Sequence, residues 1–164
     1  MNHSNSYKSE IIAFTIQLEG NDKLSTDRMD SGNWTGGKVG RGELKGTKFG
    51  ISAASYPHED IARLTRDRAI EIYERDFYDR LGIQTINPGV AMMLFDIAVN
   101  SGVSRAVKYA GATSDLRSLK RIYALNEMRL SFWHQLKGWV FYGRGWKNRE
   151  VALLKKALEL WGRG

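Results

Sequence analysis

Residues 31–50 read SGNWTGGKVGRGELKGTKFG, and seven of the chain's 17 glycines fall within this stretch. Glycine gives up more backbone entropy on ordering than any other residue, so this density forbids a helix and suits turns or a small β-hairpin. A non-helical segment of this length in a compact domain is more often a functional loop or hairpin than a mere connector. Working outward from it, the flanks carry helical periodicity almost to both ends. On the amino-terminal side Ile11, Ile12, Phe14, Thr15 and Leu18 recur at helical spacing and Gly20 closes the run, which predicts a helix over 7–19 with Glu19 in its last turn.

On the carboxyl-terminal side a short helix is expected before the break at Tyr56-Pro57. Thr65 is placed to cap the next helix, whose Ala69, Ile72, Tyr73 and Phe77 form one apolar stripe before Leu81-Gly82. Asn87-Pro88 is a start signal, with Asn as cap and Pro at the first helical position. Residues 90–101 are apolar nearly all round, the mark of a central helix enclosed by others, and Gly102 ends it. Shorter helices are expected over 103–110 and 115–120, a longer one over 121–137 and a last one over 146–161. Gly138, Gly143 and Gly145, clustered among Trp139, Phe141, Tyr142 and Trp146, predict an irregular aromatic connection between the last two. The fold class is α+β, predominantly α, organised as one domain over 1–164 with a small glycine-rich β element near its start.

Composition narrows the chemistry. The 164 residues include no cysteine, which removes disulfides, thiolate metal sites and cysteine nucleophiles. His3, His58 and His134 stand far apart, with no HExxH pair, so neither a histidine metal site nor a serine-histidine triad is well supplied. Carboxylates are left as the reactive groups, with no metal and no cofactor expected. Twenty-five basic residues against 18 acidic ones give a net charge of +7, which favours an anionic partner: nucleic acid, a membrane surface or a cell-wall polymer. No helix-turn-helix cue, RNP pattern or basic arm supports nucleic acid. The apolar run of Ile11–Ile16 is too short for a signal peptide or a membrane span, so stable membrane insertion is not expected.

Most of the 18 carboxylates read as solvated helix faces or i,i+4 pairs, among them Glu10, Glu71, Glu74, Glu127 and Glu159. Asp96 interrupts the apolar helix one turn before Asn100, and the two project from the same side, which reads as a buried polar pair that fixes helix packing. Glu19 has a stronger functional case. A carboxylate at a helix carboxyl terminus faces the negative end of the macrodipole, and apolar neighbours desolvate it; both effects raise its pKa toward the value a general acid needs. Hydrolysis of a glycosidic bond needs a second carboxylate across the cleft. On residues alone this is any of Asp22, Asp27 and Asp30. Trp133, Trp139, Trp146 and Trp161 read as core, and Arg117, Lys120 and Arg121 as a basic helical face.

Several of these motifs, in order, resemble a known family. Leu18-Glu19-Gly20, Asp30-Ser31-Gly32-Asn33 and Gly46-Thr47-Lys48-Phe49-Gly50-Ile51-Ser52 are similar to the active-site segment of glycoside hydrolase family 108, the N-acetylmuramidases of phage endolysins and secretion-associated bacterial lysozymes. Residues 69–73 with Phe77-Tyr78, residues 94–102, Arg129, Phe132-Trp133 and Gly145-Trp146-Lys147-Asn148-Arg149 resemble later family elements. The resemblance implies a lysozyme-like fold and hydrolysis of the β-1,4 bond between N-acetylmuramic acid and N-acetylglucosamine in peptidoglycan. Carried over, Glu19 is the acid, Asp30 the second carboxylate and Thr47 the residue that orients water; by position Tyr56 and Asn100 are candidates either for lining the groove or for core or cap roles. The sequence departs from the family pattern in having Asn21 where a second glycine is usual, and in the extra residues 33–46, which let Thr35 compete with Thr47. The resemblance further implies an inverting endolysin, monomeric, held to the wall by charge. It would accumulate in the host cytoplasm until a separately made holin-like pore releases it. The rival reaction is that of a lytic transglycosylase, which would need neither Asp30 nor Thr47.

Overall fold

Helix α1 spans His3–Leu18 in the computed structural model, starting earlier than the periodicity predicts, with Ile11, Ile12, Thr15 and Ile16 buried. The structure describes residues 3–20 and 22–164; Met1, Asn2 and the Asn21 that departs from the family pattern lie outside the described residues. The chain divides into two compact units, one of Ile12–Glu74 and one of Met1–Ile11 with Arg75–Gly164, so that α1 contributes to both.

In the unit of Ile12–Glu74, the amide of Glu19 still donates to the Thr15 carbonyl at 3.0 Å, which closes the last turn of α1. Gly20, with a φ of 98°, then turns the chain away. The glycine-rich stretch folds as loops around a hairpin of β1 (Thr47–Lys48) and β2 (Ile51–Ser52), paired antiparallel with Thr47 opposite Ser52 and Lys48 opposite Ile51. Isolated bridges join Ser25 to Thr47 and Trp34 to Leu44. The short helix expected before Tyr56-Pro57 is not formed. The amides of Ala53 and Ala54 donate to the carbonyls of Gly46 and Gly32, and those of Ser55 and Tyr56 both donate to Ser52, so the segment is drawn into turns against the loop. Thr65 caps α2 (Arg66–Tyr73) as expected, accepting from the Arg68 amide at 3.2 Å.

Past α2, residues Glu74–Tyr78 form a π-helical turn, followed by α3 (Asp79–Leu81). Tyr73 and Tyr78 are five residues apart and would point about 140° from one another on an α-helix. The wider turn reduces that divergence, and both are buried. The second unit is built on α4 (Pro88–Ser101), where Asn87 caps the Gly89 amide at 3.0 Å and every residue from Pro88 to Ala98 is buried. It is enclosed by α5 (Val103–Ala112), α6 (Ser118–His134) and α7 (Trp139–Trp161). α7 comes up to the α4 backbone at Gly89, where a Cβ would lie 2.3 Å from the Ala157 carbonyl oxygen.

Three sequence expectations fail in this unit. Residues 118–134 form one helix rather than two, with turns over 113–116. Arg121 is also no solvated cation, since its guanidinium donates to Thr113 Oγ1 and the Ala110 carbonyl. The connection expected over 138–145 is instead the start of α7. Its glycines make room for rings rather than turns: a Cβ on Gly143 would lie 2.9 Å from the Trp139 indole, and one on Gly138 would meet Trp146. Trp139 and Trp146 pack 6.1 Å apart, with Trp133 beyond at 5.7 Å from Trp146.

The interior of the helical unit is held by ions as well as by apolar packing. Asp96, fully buried on α4, accepts from Arg129 on α6 at 2.7 Å and from Arg149 on α7 at 2.8 Å, and Arg129 in turn donates to Glu150 at 2.6 Å. Burial opposes the Asp96 charge, but the Arg129 and Arg149 guanidiniums outweigh it and hold the carboxyl below its usual range. Burial pushes Glu150 the other way, up, despite its bond to Arg129. Replacing Asp96 by Asn leaves two buried cations short of an anion and should cost about 3–5 kcal/mol at neutral pH, read by thermal unfolding. A carboxyl whose folded pKa lies below its unfolded one stabilises fully above the ordinary carboxylate range and loses that effect as pH falls through the folded value. The gap between wild type and variant should therefore narrow in acid.

Candidate functional site

Three of the candidate residues, Glu19, Asp30 and Thr47, lie in the unit of Ile12–Glu74 together with Tyr56, while Asn100 lies in the other unit. Their common frame is the β1–β2 hairpin. Its two-residue turn, Phe49-Gly50, has φ of 53° and 78°, the doubly left-handed geometry that matches the twist of paired strands. Gly50 adopts it freely. Phe49 does not, because a bulky side chain in that region strains the backbone by about 1–3 kcal/mol. The turn is held regardless, since Phe49 is buried and its carbonyl accepts from the Tyr73 hydroxyl at 2.9 Å.

Glu19 stands against this turn. A Cβ on Gly50 would lie 2.9 Å from the Glu19 Cβ, 3.0 Å from its Cγ and 2.5 Å from the Tyr73 hydroxyl, so the absent side chain is what lets the half-buried glutamate pack there. From Gly50 to Ser52 is no more than about 7 Å of extended chain. Thr47 faces Ser52 across the rung, about 5 Å away. The end of α1 and the Thr47 rung are thus brought together by the hairpin.

Thr47 donates its hydroxyl to Asn33 Oδ1 at 2.7 Å, which leaves the oxygen lone pairs as acceptors. Asn33 is buried, with both ends of its side-chain amide engaged. Its Nδ2 donates to the Asp27 carbonyl at 2.9 Å, and its own carbonyl accepts from the amides of Lys45 and Gly46. Asp30 caps the short 3-10 turn Ser31–Asn33, accepting from the Gly32 amide at 2.8 Å, and remains exposed. Gly32 reaches back to the hairpin, with its carbonyl on the Ala54 amide and its Cα side against Ser52. Asp30 and Thr47 therefore hang from one scaffold.

The other two carboxylates, Asp22 and Asp27, also border this frame. Asp27 accepts from the Met29 amide, and Asp22 lines a cavity of about 440 Å³ with Ile16, Gln17, Phe49 and Arg66. Thr35 accepts from the Glu43 amide at 2.9 Å inside the 34–44 excursion, a loop-holding role. Tyr56 sits half-buried in the turn after β2. Asn100 bonds the carbonyl and carboxylate of Asp96, four residues before it. Among the described residues no three His, Cys, Asp or Glu side chains gather where they could hold a metal.

Sequence reasoning missed Asn33 and Tyr73 as parts of this site. Asn33 ends a DSGN run, and Asn beside Gly signals only a turn. Tyr73 lies in an apolar helical stripe, where it is indistinguishable from core.

The model of the family described as glycosyl hydrolase 108 matches residues 12–102, more than half of the chain. Among solved structures, SagA of Brucella abortus is similar over 96% of this chain and 97% of its own, with a TM-score of 0.74 and 18% sequence identity, a likeness of fold. None of the curated proteins matches. The predominantly α architecture with its small antiparallel sheet is the lysozyme-like α+β fold.

Two variants test the scaffold. Asn33→Ala strands the Thr47 hydroxyl and leaves the Asp27 carbonyl with the Asp30 amide alone, and should cost about 1–3 kcal/mol in denaturant unfolding. Gly50→Ala forces an L side chain into a left-handed turn and into the Glu19 stem. The expected outcome is a loss of about 1–3 kcal/mol in the same measurement.

Proposed function

Because the chain belongs to the glycosyl hydrolase 108 family and is a glycoside hydrolase, we propose that it cleaves the β-1,4 bond between N-acetylmuramic acid and N-acetylglucosamine in peptidoglycan, with Glu19 as general acid. The observation that carries this reading is the packing of Glu19 against the Gly50 turn of the hairpin that bears Thr47. A glycosidic oxygen is a poor leaving group until it is protonated, and the acid must be held at fixed geometry to do so. The glutamate stem has that support, locked between a helix end and a turn that Tyr73 pins.

Water then has to be held on the far face of the sugar. Thr47, its proton committed to Asn33, is an acceptor that orients such a water, and Asp30 supplies the carboxylate that takes its proton. Space for a water between acid and base corresponds to inversion at the anomeric carbon. Tyr56, in the turn after β2, borders the sugar in this reading, and no cofactor takes part. The net charge of +7 draws the monomeric enzyme to an anionic wall. Its biological role is that of an endolysin, which meets the wall through a separately made pore and lyses the cell.

Glu19→Gln is nearly isosteric. It should unfold like wild type while losing at least about 10²-fold in release of soluble muropeptides from purified sacculi. Asp30→Asn and Thr47→Val should also lose activity. Mass spectrometry of the wild-type products should find ordinary reducing ends; anhydro ends would show a transglycosylase instead, and full hydrolysis by the Glu19 variant would remove the assignment.

A further inference from the structure

The first turns of α7 carry a surface that the cleavage chemistry does not use. Val140, Phe141 and Tyr142 are 84%, 81% and 64% exposed, in a protein whose other large aromatics are mostly covered. Val151, 68% exposed, shares a helix face with Val140, Arg144 and Lys147, with Phe141 at its edge; Tyr142 is turned about 160° from Val140, toward Trp146. Along the sequence the charges up to Arg149 have a single sign, and the exposed Glu127 of α6 borders only the Lys147–Val151 end. Residues 135–149 contain Lys137, Arg144, Lys147 and Arg149 and no Asp or Glu.

The patch is firmly mounted. Tyr142 stacks on Trp146 at 6.3 Å, Trp146 packs on Trp139 and Trp133, and Lys147 lies over the Trp139 ring at 5.5 Å. The exposed residues therefore project from a rigid helix end rather than a loop. Ordinary surfaces scatter apolar side chains singly; a contiguous group rimmed by polar residues marks an interaction site.

We infer that this end of α7 is a peripheral docking face for an anionic phospholipid surface. Val140 and Phe141 would enter the boundary between headgroups and acyl chains, with Lys137, Arg144 and Lys147 at the level of the phosphates. The charge pattern selects this occupant. In such a surface Val140 and Phe141 find hydrocarbon and the three cations find phosphates, whereas a hydrated anionic glycan would answer the charges and leave two largely exposed apolar side chains unmet. A symmetric contact with a second copy would bring like charges together. Docking here is superficial, since no helix among the described residues is long and apolar enough to cross a membrane.

The test is flotation of the full chain with vesicles of phosphatidylcholine alone or of equal parts phosphatidylcholine and phosphatidylglycerol. Wild type should float with the mixed vesicles, less so as salt rises, and remain unbound with phosphatidylcholine alone. The double variant Val140→Ser, Phe141→Ser should lose this binding. Lys137→Gln with Arg144→Gln should weaken it by about fivefold per cation removed and flatten its salt dependence. All four side chains are exposed, and thermal unfolding checks that the variants stay folded. Equal binding to both vesicle types, no flotation, or variants that float like wild type would overturn the inference. Loss of sacculus binding in the variants with vesicle binding unchanged would reassign the face to glycan, and a concentration-dependent dimer abolished by the Phe141 variant would reassign it to self-association. Muropeptide release by the variants reports separately on the cleavage reading, which can stand or fall independently.

Discussion

The side-chain amide of Asn33 is the constraint on which the loop-built unit depends. A stretch with seven glycines cannot be fixed by side-chain packing, because it has too few side chains, and it cannot be fixed by a ladder of strands two residues long. It is fixed by one buried amide that takes bonds from both directions. Asn33 ties the 27–30 turn to the 45–47 return and fixes the rotor of Thr47. Buried polar groups of this kind rigidify the backbone that they bond. The hairpin turn adds a second fixed point, where the Tyr73 hydroxyl holds a strained Phe49 in place. Together these make a loop precise enough to carry chemistry.

The helical unit solves the opposite problem. Its core is rich in side chains and needs something to set the register of α4, α6 and α7. The Asp96, Arg129, Glu150 and Arg149 cluster does so with directional bonds that a purely apolar interface lacks. Such clusters add little net stability relative to apolar packing but penalise wrong arrangements heavily, because any misplacement strands a charge.

What the sequence disclosed follows from how local each signal is. The caps at Thr65 and Asn87, the apolar run of α4 and the end of α1 at Glu19 are written in residues a turn apart, and all are found. The hairpin was legible as a glycine density, though not its rung at Thr47 and Ser52. The pairing of Asp96 with Asn100 was readable at four residues' distance, whereas its bonds to Arg129 and Arg149 span 33 and 53 residues and leave no local trace. The start of α7 was misread for an instructive reason. Gly138, Gly143 and Gly145 look like breakers, yet two of them are small because indole rings lie on them, a tertiary demand that overrides helix propensity. The same logic hid Tyr73, since a hydroxyl that pins a turn 24 residues away looks like any aromatic on a buried stripe.

The excursion between Trp34 and Leu44 closes on itself. Its base is bridged by those two residues and by reciprocal bonds between Thr35 and Glu43, and its tip from Gly36 to Gly42 is exposed. Once the neck of a loop is clamped, lengthening it costs only the slow logarithmic growth of closure entropy. The tip is thus a natural grafting port, where evolution or an engineer can splice in new recognition elements while the anchored stem beneath keeps its register.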